Sequence, residues 1–430
     1  MAEAAERRER EDGPTAEDRP LAGAPWIAAE ESRRVMEALT AGGRPARFVG
    51  GCVRDALLDP GADPHDVDIA TAEPPERVME LLERAGIRTI PTGLAHGTVT
   101  ALAGERSFEI TTLRRDVETY GRHARVQYSD SFEEDAARRD FTINAMSADL
   151  EGRVYDYFGG RADLAAGRVR FVGRARERIR EDYLRILRFF RFFARFGRPP
   201  ADAEALEAIE AEAAGLDRLS GERIREELLR LLMAPRASDS LRLMAETGVL
   251  ARILPAAPDI DTFERLVALA PWADPILRLA ALLRHAGPDA ETVEALAARL
   301  RLSNRERDDL AFLLLADLPD CTESAAEHRA RAWRSGPERY RRLLALAAAL
   351  RQVPRERFAA ALATVASFEP PAFPVRGADL VRMGLRPGPR VGGLLRELED
   401  LWVASDFRLG REELLSEARR RMAEGGGGGG

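Results

Sequence analysis

The chain has 430 residues, enough for two or more domains that each bury a core. With 45% hydrophobic and 32% charged residues it has the composition of a soluble globular protein, and no apolar run is long enough to span a bilayer. Two cysteines, Cys52 and Cys321, exclude a disulfide framework or a cysteine-based zinc site, and the formal net charge of −7 does not announce a nucleic-acid partner.

Residues 1–22 are rich in Glu, Arg and Ala with few large apolar side chains, and read as disordered. Their mixed charge, without an apolar core segment, argues against a signal or transit peptide, so the cytoplasm is the expected location. From about 45 to 160, short β-rich runs (47–49, 66–70, 97–103, 107–113 and 153–157) alternate with helices. One helix spans 74–85: Pro74 and Pro75 suit its first turn, and Val78, Leu81, Leu82 and Ala85 share a face. From about 162 onward the strands largely stop and helical patterns follow one another. Ser220 can cap the helix carrying Ile224, Leu228 and Leu231, and Ser303 with Glu306 forms a capping-box pattern. Gly248, Pro255, Gly287 and Pro354 punctuate this region. Residues 377–393 read as a loop before a helix near 394–402, and the glycine run 425–430 as a flexible end. The fold class is α+β: a mixed α/β head on an all-helical body.

Three motifs follow in order within the head. Gly50-Gly51-Cys52-Val53-Arg54-Asp55 comes first, then Asp66-Val67-Asp68, then Arg138-Arg139-Asp140-Phe141-Thr142-Ile143-Asn144-Ala145. The glycine pair lies between a strand and a helix start, where backbone N–H groups can face a phosphate with Arg54 one turn in. The same pair also suits a tight turn that needs positive φ. Asp66 and Asp68, two apart on a strand, point to one face while Val67 and Ile69 point to the core. Two hard oxygen donors side by side suit Mg²⁺, although an Asp-x-Asp alone also describes a solvated strand face. In 107–111, Phe108 and Ile110 take the core side and Glu109 the other, so pairing with the first strand would bring up a third carboxylate. Arg139 offers bidentate contacts to phosphate or ribose. Asp140 holds the ribose, orients Arg139, or forms a surface ion pair at a helix start. In this order the parts read as a nucleotidyltransferase that holds a nucleoside triphosphate with metal ions. Further on, residues 168–198 carry eleven arginines against Glu177, Glu181 and Asp182, a basic run able to hold a polyanion on an acidic protein. All 65 basic residues of the chain are arginine.

With Glu181-Asp182-Tyr183-Leu184-Arg185-Ile186-Leu187-Arg188-Phe189-Phe190-Arg191 as a fourth member, these motifs resemble the class II CCA-adding enzymes. Those are the bacterial and eukaryotic tRNA nucleotidyltransferases, which share their head with bacterial poly(A) polymerases within the DNA polymerase β superfamily. The resemblance is specific over about residues 45–200 and looser beyond. It implies a disordered N-terminus (1–22), a nucleotidyltransferase head with a polymerase-β-like sheet (23–160) and a helical neck for base and nucleotide recognition (161–220). A tRNA-binding helical body and tail (221–424) and a flexible end (425–430) follow. It also implies Asp66 and Asp68 as metal ligands, Glu109 as a third catalytic carboxylate, and Gly51, Arg54 and Arg139 on the triphosphate. Asp182 and Arg185 would read the base, and Arg188 and Arg191 would support the nucleotide. The implied substrates are CTP and ATP, the cofactor Mg²⁺ and the partner tRNA, held at its 3′ end and acceptor arm. Neither a membrane nor an obligate protein partner is expected.

By spacing alone, Asp182 and Arg185 form a stabilising ion pair three residues apart on a predicted helix. The implied role has its own chemistry. Cytosine sets an amino donor beside a ring acceptor, and so does adenine; a carboxylate accepts from the first and a guanidinium donates to the second. Uracil and guanine put a carbonyl where the amine should be, and the buried groups left unpaired make the rejection strong. The long polar stretch 114–122 resembles the flexible loop the family uses when switching from C to A. CC-only enzymes lack that loop, so full CCA or A-only addition is favoured, and the stretch does not resemble the poly(A) polymerase version. A non-catalytic RNA-binding protein on the same head would be marked by a lost carboxylate, yet all three are present. A small-molecule nucleotidyltransferase would need neither the base-reading helix nor the long body. His65-Asp66 is the one His-Asp dipeptide, so no appended phosphohydrolase activity is expected.

Overall fold

The computed structural model describes residues 19–94, 97–120 and 123–424 and has the expected α+β architecture. The disorder expected for 1–18 and the flexible end 425–430 lie outside the described residues. The chain divides into two compact units, Met1–Leu254 and Pro255–Gly430.

The first unit opens with α1 (Pro25–Ala28) and α2 (Glu30–Thr40). Residues 19–22, expected to be disordered, are held instead. Leu21 is buried, and its N–H donates to the Gly152 carbonyl at 3.2 Å. There follow β1 (Ala46–Val49), α3 (Gly51–Leu58), β2 (Asp66–Thr71), α4 (Pro75–Arg84), β3 (Arg88–Gly93), β4 (Thr98–Ala103) and β5 (Arg106–Thr112). Beyond them lie β6 (Arg114–Tyr120), β7 (His123–Tyr128), α5 (Phe132–Ala137), β8 (Ser147–Ala148) and β9 (Val154–Tyr155). Seven strands form one mixed sheet in the order β3-β4-β5-β2-β1-β8-β9, and β6 with β7 forms a separate ladder.

At the centre β2 runs parallel to β5 and antiparallel to β1. Val67, Ile69, Phe108, Ile110 and Phe48 are buried, and α2 and α4 pack against the strands. Each such side chain contributes roughly 1.5–3 kcal/mol on burial. That burial pins the register, because a slip of one residue would turn Asp66, Asp68 and Glu109 into the core. Val78, Leu81 and Leu82 of α4 are buried as their spacing predicts, whereas Ala85 is its exposed C-cap.

Four expectations need correcting here. The described part of the stretch 114–122, residues 114–120, is one arm of a hairpin rather than a loop: Arg114 pairs with Tyr128 and Tyr120 with His123, with an irregularity at Asp116/Glu118. Residues 121–122, between the arms, lie outside the described set. Thr, Val and Tyr, all good strand formers, are interleaved among the charges there and outweigh them. The strand expected over 153–157 shrinks to the two residues of β9. Strands β3 and β8 were not expected: β3 carries Pro91 and polar residues, and β8 is two residues long.

The first unit ends in helices α6 (Gly160–Ala166), α7 (Ala175–Glu181), α8 (Leu184–Phe196), α9 (Ala203–Glu212), α10 (Gly221–Leu232), α11 (Ala237–Glu246) and α12 (Val249–Ile253). Ser220 takes the N-cap position of α10 but makes no side-chain capping bond, while Ile224, Leu228 and Leu231 are buried as predicted. An aromatic cluster fastens α8 to the Arg-Arg-Asp-Phe-Thr segment. Phe141 lies 5.0 Å from Phe171 and 5.2 Å from Phe192, and Phe171 stacks on Phe189 at 5.9 Å. Two motifs whose first residues, Arg138 and Glu181, are 43 positions apart are thereby brought side by side.

The second unit is helical among its described residues, from Ile260–Leu269 to Arg411–Glu424. The predicted Ser303–Glu306 capping box is present, and a second one, Ser324–Glu327, caps Ala325–Ser335. The region 377–393 contains a short helix, Gly377–Arg382, and the helix expected near 394–402 extends over Pro389–Ala404. Among the described residues no helix is long and apolar enough to cross a membrane.

Candidate active site

The carboxylates meet across the β2–β5 ladder. Asp68 is the register partner of Glu109, and Asp66 of Ser107, whose hydroxyl donates to Asp66 Oδ1 at 3.2 Å. The convergence expected from the two alternating patterns is therefore met. Asp68 opens onto a cleft, yet the protein around it displaces enough solvent to push its carboxyl up to about 6, helped by the charges of Glu109 and Asp66 and opposed by Arg139.

Gly50 closes the turn from β1 into α3. Its φ is +76° and its N–H donates to the Met146 carbonyl at 3.2 Å. A Cβ there would sit 2.9 Å from Arg139 Nη1, so the turn needs glycine both for its backbone and for the arginine's approach. Arg54, one turn into α3, is buried. Its Nε donates to Asp55 Oδ1 at 2.8 Å and its Nη1 to Asn144 Oδ1 at 2.5 Å, and the guanidinium lies 4.3 Å from the Phe196 ring centre. Burial pulls its pKa down, with Asp55 opposing.

Arg139 is oriented by Asp135 of α5, not by Asp140. Its Nε and Nη2 donate to Asp135 Oδ2 at 3.3 and 3.1 Å, while Arg138 occupies Oδ1 of the same carboxylate. Asp140 is buried and does not form a surface pair. It accepts from Arg188 Nε at 2.7 Å, from Asn144 Nδ2 at 3.1 Å and from the Phe141 N–H at 2.9 Å. Burial alone would raise its carboxyl; Arg188 and these hydrogen bonds outweigh that and hold it below the ordinary range.

The helix expected to run through the fourth motif is broken. Helix α7 ends at Glu181, Asp182 is extended (φ −153°, ψ 107°), and Tyr183 is the N-cap of α8. Asp182 Oδ1 accepts from the Leu184 N–H at 3.1 Å, a local bond that competes with helix continuation. A Cβ on Gly215 would lie 1.9 Å from the Tyr183 ring, so that ring fits only over a glycine. Asp182 and Arg185 consequently do not pair with each other. Asp182 Oδ2 accepts from Arg223 Nη2 at 2.6 Å. Arg185 Nη1 donates to Glu181 Oε2 at 2.5 Å and to the Arg178 carbonyl at 2.8 Å, and its Nη2 to the Arg138 carbonyl at 3.2 Å.

Nor is the basic run 168–198 a free cationic stripe. Arg168 and Arg170 meet Asp163, Arg176 and Arg180 meet Glu212, Arg178 and Arg185 share Glu181, and Arg191 meets Glu227. Three of these four acids lie outside the run, which is why its composition misleads.

One cavity of about 500 Å³, a size suited to a small-molecule ligand, collects most of these groups. Gly51, Arg54, Asp68, Arg139, Asp182, Arg185 and Arg188 all line it; Arg191 does not. An adjoining cavity of about 160 Å³ shares Asp68 and Arg139 and adds Glu109. Among the described residues no three His, Cys, Asp or Glu side chains form a ready metal cage. The donors that do stand together are hard carboxylate oxygens, and at Asp68 the charges of Glu109 and Asp66 oppose ionisation more than Arg139 favours it. They fit a divalent cation such as Mg²⁺, which takes one or two carboxylates and completes its shell with water and substrate phosphate.

Sequence reading missed Asp135, Asn144, Arg223 and Glu227. Asn144 stood within a recognised motif. Arg223 has no local signal, since its partner Asp182 is 41 residues away.

The chain is similar to proteins of known kind. A family profile described as the poly A polymerase head domain matches residues 46–170, and one described as a probable RNA- and SrmB-binding site of polymerase A matches 202–260. The chain is 39% identical to the mitochondrial CCA tRNA nucleotidyltransferase 1 of Danio rerio over 86% of each protein. It is 38% identical to the CCA-adding enzyme of Geobacillus stearothermophilus over 67% of this chain and 71% of that one. The crystal structure of the Bacillus stearothermophilus CCA-adding enzyme in complex with CTP superposes with a TM-score of 0.75 at 31% identity, covering 92% of this chain and 98% of that chain.

Proposed function

The chain belongs to the CCA-adding enzymes of the nucleotidyltransferase family, and from that premise we propose how it completes tRNA: CTP is used twice and ATP once, with pyrophosphate released at each step. One observation carries the proposal. Phosphate donors (Gly51, Arg54, Arg139), a strand carboxylate (Asp68) and two groups able to read a base edge (Asp182, Arg185) line a single cavity.

The Gly51 N–H, Arg54 and Arg139 hold the triphosphate, and Arg188, fixed by Asp140, supports the nucleotide beside them. Arg191 steadies this group from one turn further along α8. Asp182 accepts from the amine of cytosine or adenine while Arg185 donates to the neighbouring ring nitrogen; a uracil or guanine carbonyl meets the carboxylate and is turned away. The tRNA 3′ oxygen attacks the α-phosphorus, and the bond to pyrophosphate breaks as the new P–O bond forms. Asp66 and Asp68, with Glu109 as the third carboxylate, would hold divalent ions, for which we propose Mg²⁺. When bound, such ions activate the attacking oxygen and neutralise charge on the leaving group. The head (23–160) carries the chemistry, the neck (161–220) the base reading, and the body and tail (221–424) the tRNA. Cytoplasmic location is part of the same proposal, and cell fractionation tests it.

The test is incorporation with Mg²⁺ on tRNA transcripts lacking CCA, or ending in C or CC, with each nucleotide alone and with CTP plus ATP. The expected result is CCA addition that then stops, lost in Asp66→Ala and Asp68→Ala. Extension of the CC-ended transcript alone would mean an A-only enzyme. Long A tails would mean a poly(A) polymerase.

A further inference from the structure

We propose that the smaller cavity beside the carboxylates, of about 160 Å³, seats the terminal ribose of the RNA, and that the hydroxyl pair Thr98–Thr111 reads its 2′-hydroxyl. The inference rests on the nucleotidyl transfer proposed above and adds what the protein asks of the attacking end.

The polar face of the sheet does not stop at the acids. Glu109 and Thr111 are two apart on β5 and so point to one face. Thr98 of β4 is the register partner of Thr111, as Asp68 of β2 is of Glu109. Val99, Phe108 and Ile110 fill the opposite face of the same strands and fix this arrangement. Thr98 Oγ1 lies 3.3 Å from Thr111 Oγ1, and both residues are half-buried in the wall of the cavity.

The cavity offers two kinds of polar group. Ionised Asp68 and Glu109 only accept. The two hydroxyls bond to each other with one hydrogen, which leaves the other hydrogen and further lone pairs for a ligand. Asp135, Arg138 and Arg139, on the remaining wall, are already paired among themselves. The volume falls below the ~300 Å³ at which pockets for whole small molecules begin, which leaves room for a sugar ring rather than a nucleotide. Asp68, Arg138 and Arg139 line both cavities, so a group seated in the smaller one abuts a triphosphate held in the larger. In the proposed reaction that group is the 3′-hydroxyl of a ribose, and its neighbour on the ring is a cis 2′-hydroxyl. With the 3′ oxygen at the carboxylates, the 2′-hydroxyl needs a partner that both donates and accepts, and the threonine pair does both. A Thr–Thr pair across two strands is also an ordinary ladder contact, and the experiment separates the two roles.

The test measures kcat/KM for addition of the first C by the full chain to two tRNA transcripts lacking CCA, alike except that the last sugar is ribose in one and 2′-deoxyribose in the other. The wild-type protein should favour the ribose end by about 3- to 10-fold, the worth of one net hydrogen bond. Thr98→Val combined with Thr111→Val keeps the β-branched shape and removes both hydroxyls. It should bring the ribose end down to the level of the deoxyribose end, with KM for CTP as in the wild type. Thr111→Ser, which retains the hydroxyl, should keep the preference. If the wild-type protein uses both ends equally, or the double valine variant lowers both by the same factor, the pair is a ladder contact only and the inference is overturned. If folded wild-type protein extends neither end, the nucleotidyl-transfer reading itself fails. Should the double variant not fold, Thr98→Val alone carries the comparison: a reduced preference is expected, and an unchanged one overturns the inference.

Discussion

Gly50 and Gly215 each hold a place that a single methyl group would spoil, in different ways. At Gly50 the backbone itself resists a side chain (φ +76°), and the added Cβ would press on Arg139. Strain of this kind amounts to about 1–3 kcal/mol. Gly50→Ala should lower the melting temperature and also weaken CTP binding as Arg139 is displaced, which calorimetry of both kinds would read. At Gly215 the backbone is ordinary and the obstacle is the Tyr183 ring. Gly215→Ala should push that ring, and the link carrying Asp182, out of place. Its expected signature is poorer rejection of UTP in single-nucleotide incorporation, about 10-fold by analogy with other displaced orienting groups, and unchanged discrimination would show that the ring yields without moving Asp182.

At the scale of elements, two buried acids join helices to the motif loop. Asp135 ties α5 to Arg138 and Arg139, and Asp140 ties the loop to Arg188 of α8. Burial opposes the ionised form of both, and the arginine charges overcome it, leaving both carboxyls below their ordinary value. A depressed folded pKa means stability present above the ordinary carboxylate pKa, near ~4, and lost as pH falls from there toward the folded value. Melting temperature should therefore drop steeply below about pH 4, and Asp140→Asn should flatten part of that drop. The same elements show what the sequence makes legible. The alternation in 66–71 and 107–111 places Asp66, Asp68 and Glu109 on the polar face, because period-two burial leaves no other choice. The 3.6-residue stripe of α4 and the Ser303 box are readable for the same reason: each depends on near neighbours in the chain. The break at Asp182, the pairing of Arg223 with Asp182 and the replacement of Asp140 by Asp135 as the orienter of Arg139 are not readable. Each turns on which of several arginines and acids meet once distant segments pack. Strand β3 was not expected because Pro91 interrupts it and its neighbours are mostly polar, and it forms because β4 offers a ladder.

For the molecule as a whole, the division at Leu254 carries a prediction. Every residue lining the nucleotide cavity belongs to the first unit. A fragment ending at Leu254 should fold and bind CTP with an affinity within about 10-fold of the full chain, since about 1.4 kcal/mol corresponds to that factor. Titration calorimetry checks this, and an unfolded or non-binding fragment would mean the first unit is not self-sufficient. The seven-stranded sheet has a last consequence. One of its margins is β3, which carries Pro91 and slips register between Ile90 and Gly93; the other is β9, two residues long. Neither presents a long, regular row of unpaired amides and carbonyls, so a strand from another molecule finds no template there. The seven-stranded sheet is in this way guarded against growth by strand addition. Pro91→Val, which gives β3 the N–H it lacks at that position, is the substitution expected to make the protein more prone to aggregate on storage, as light scattering would show.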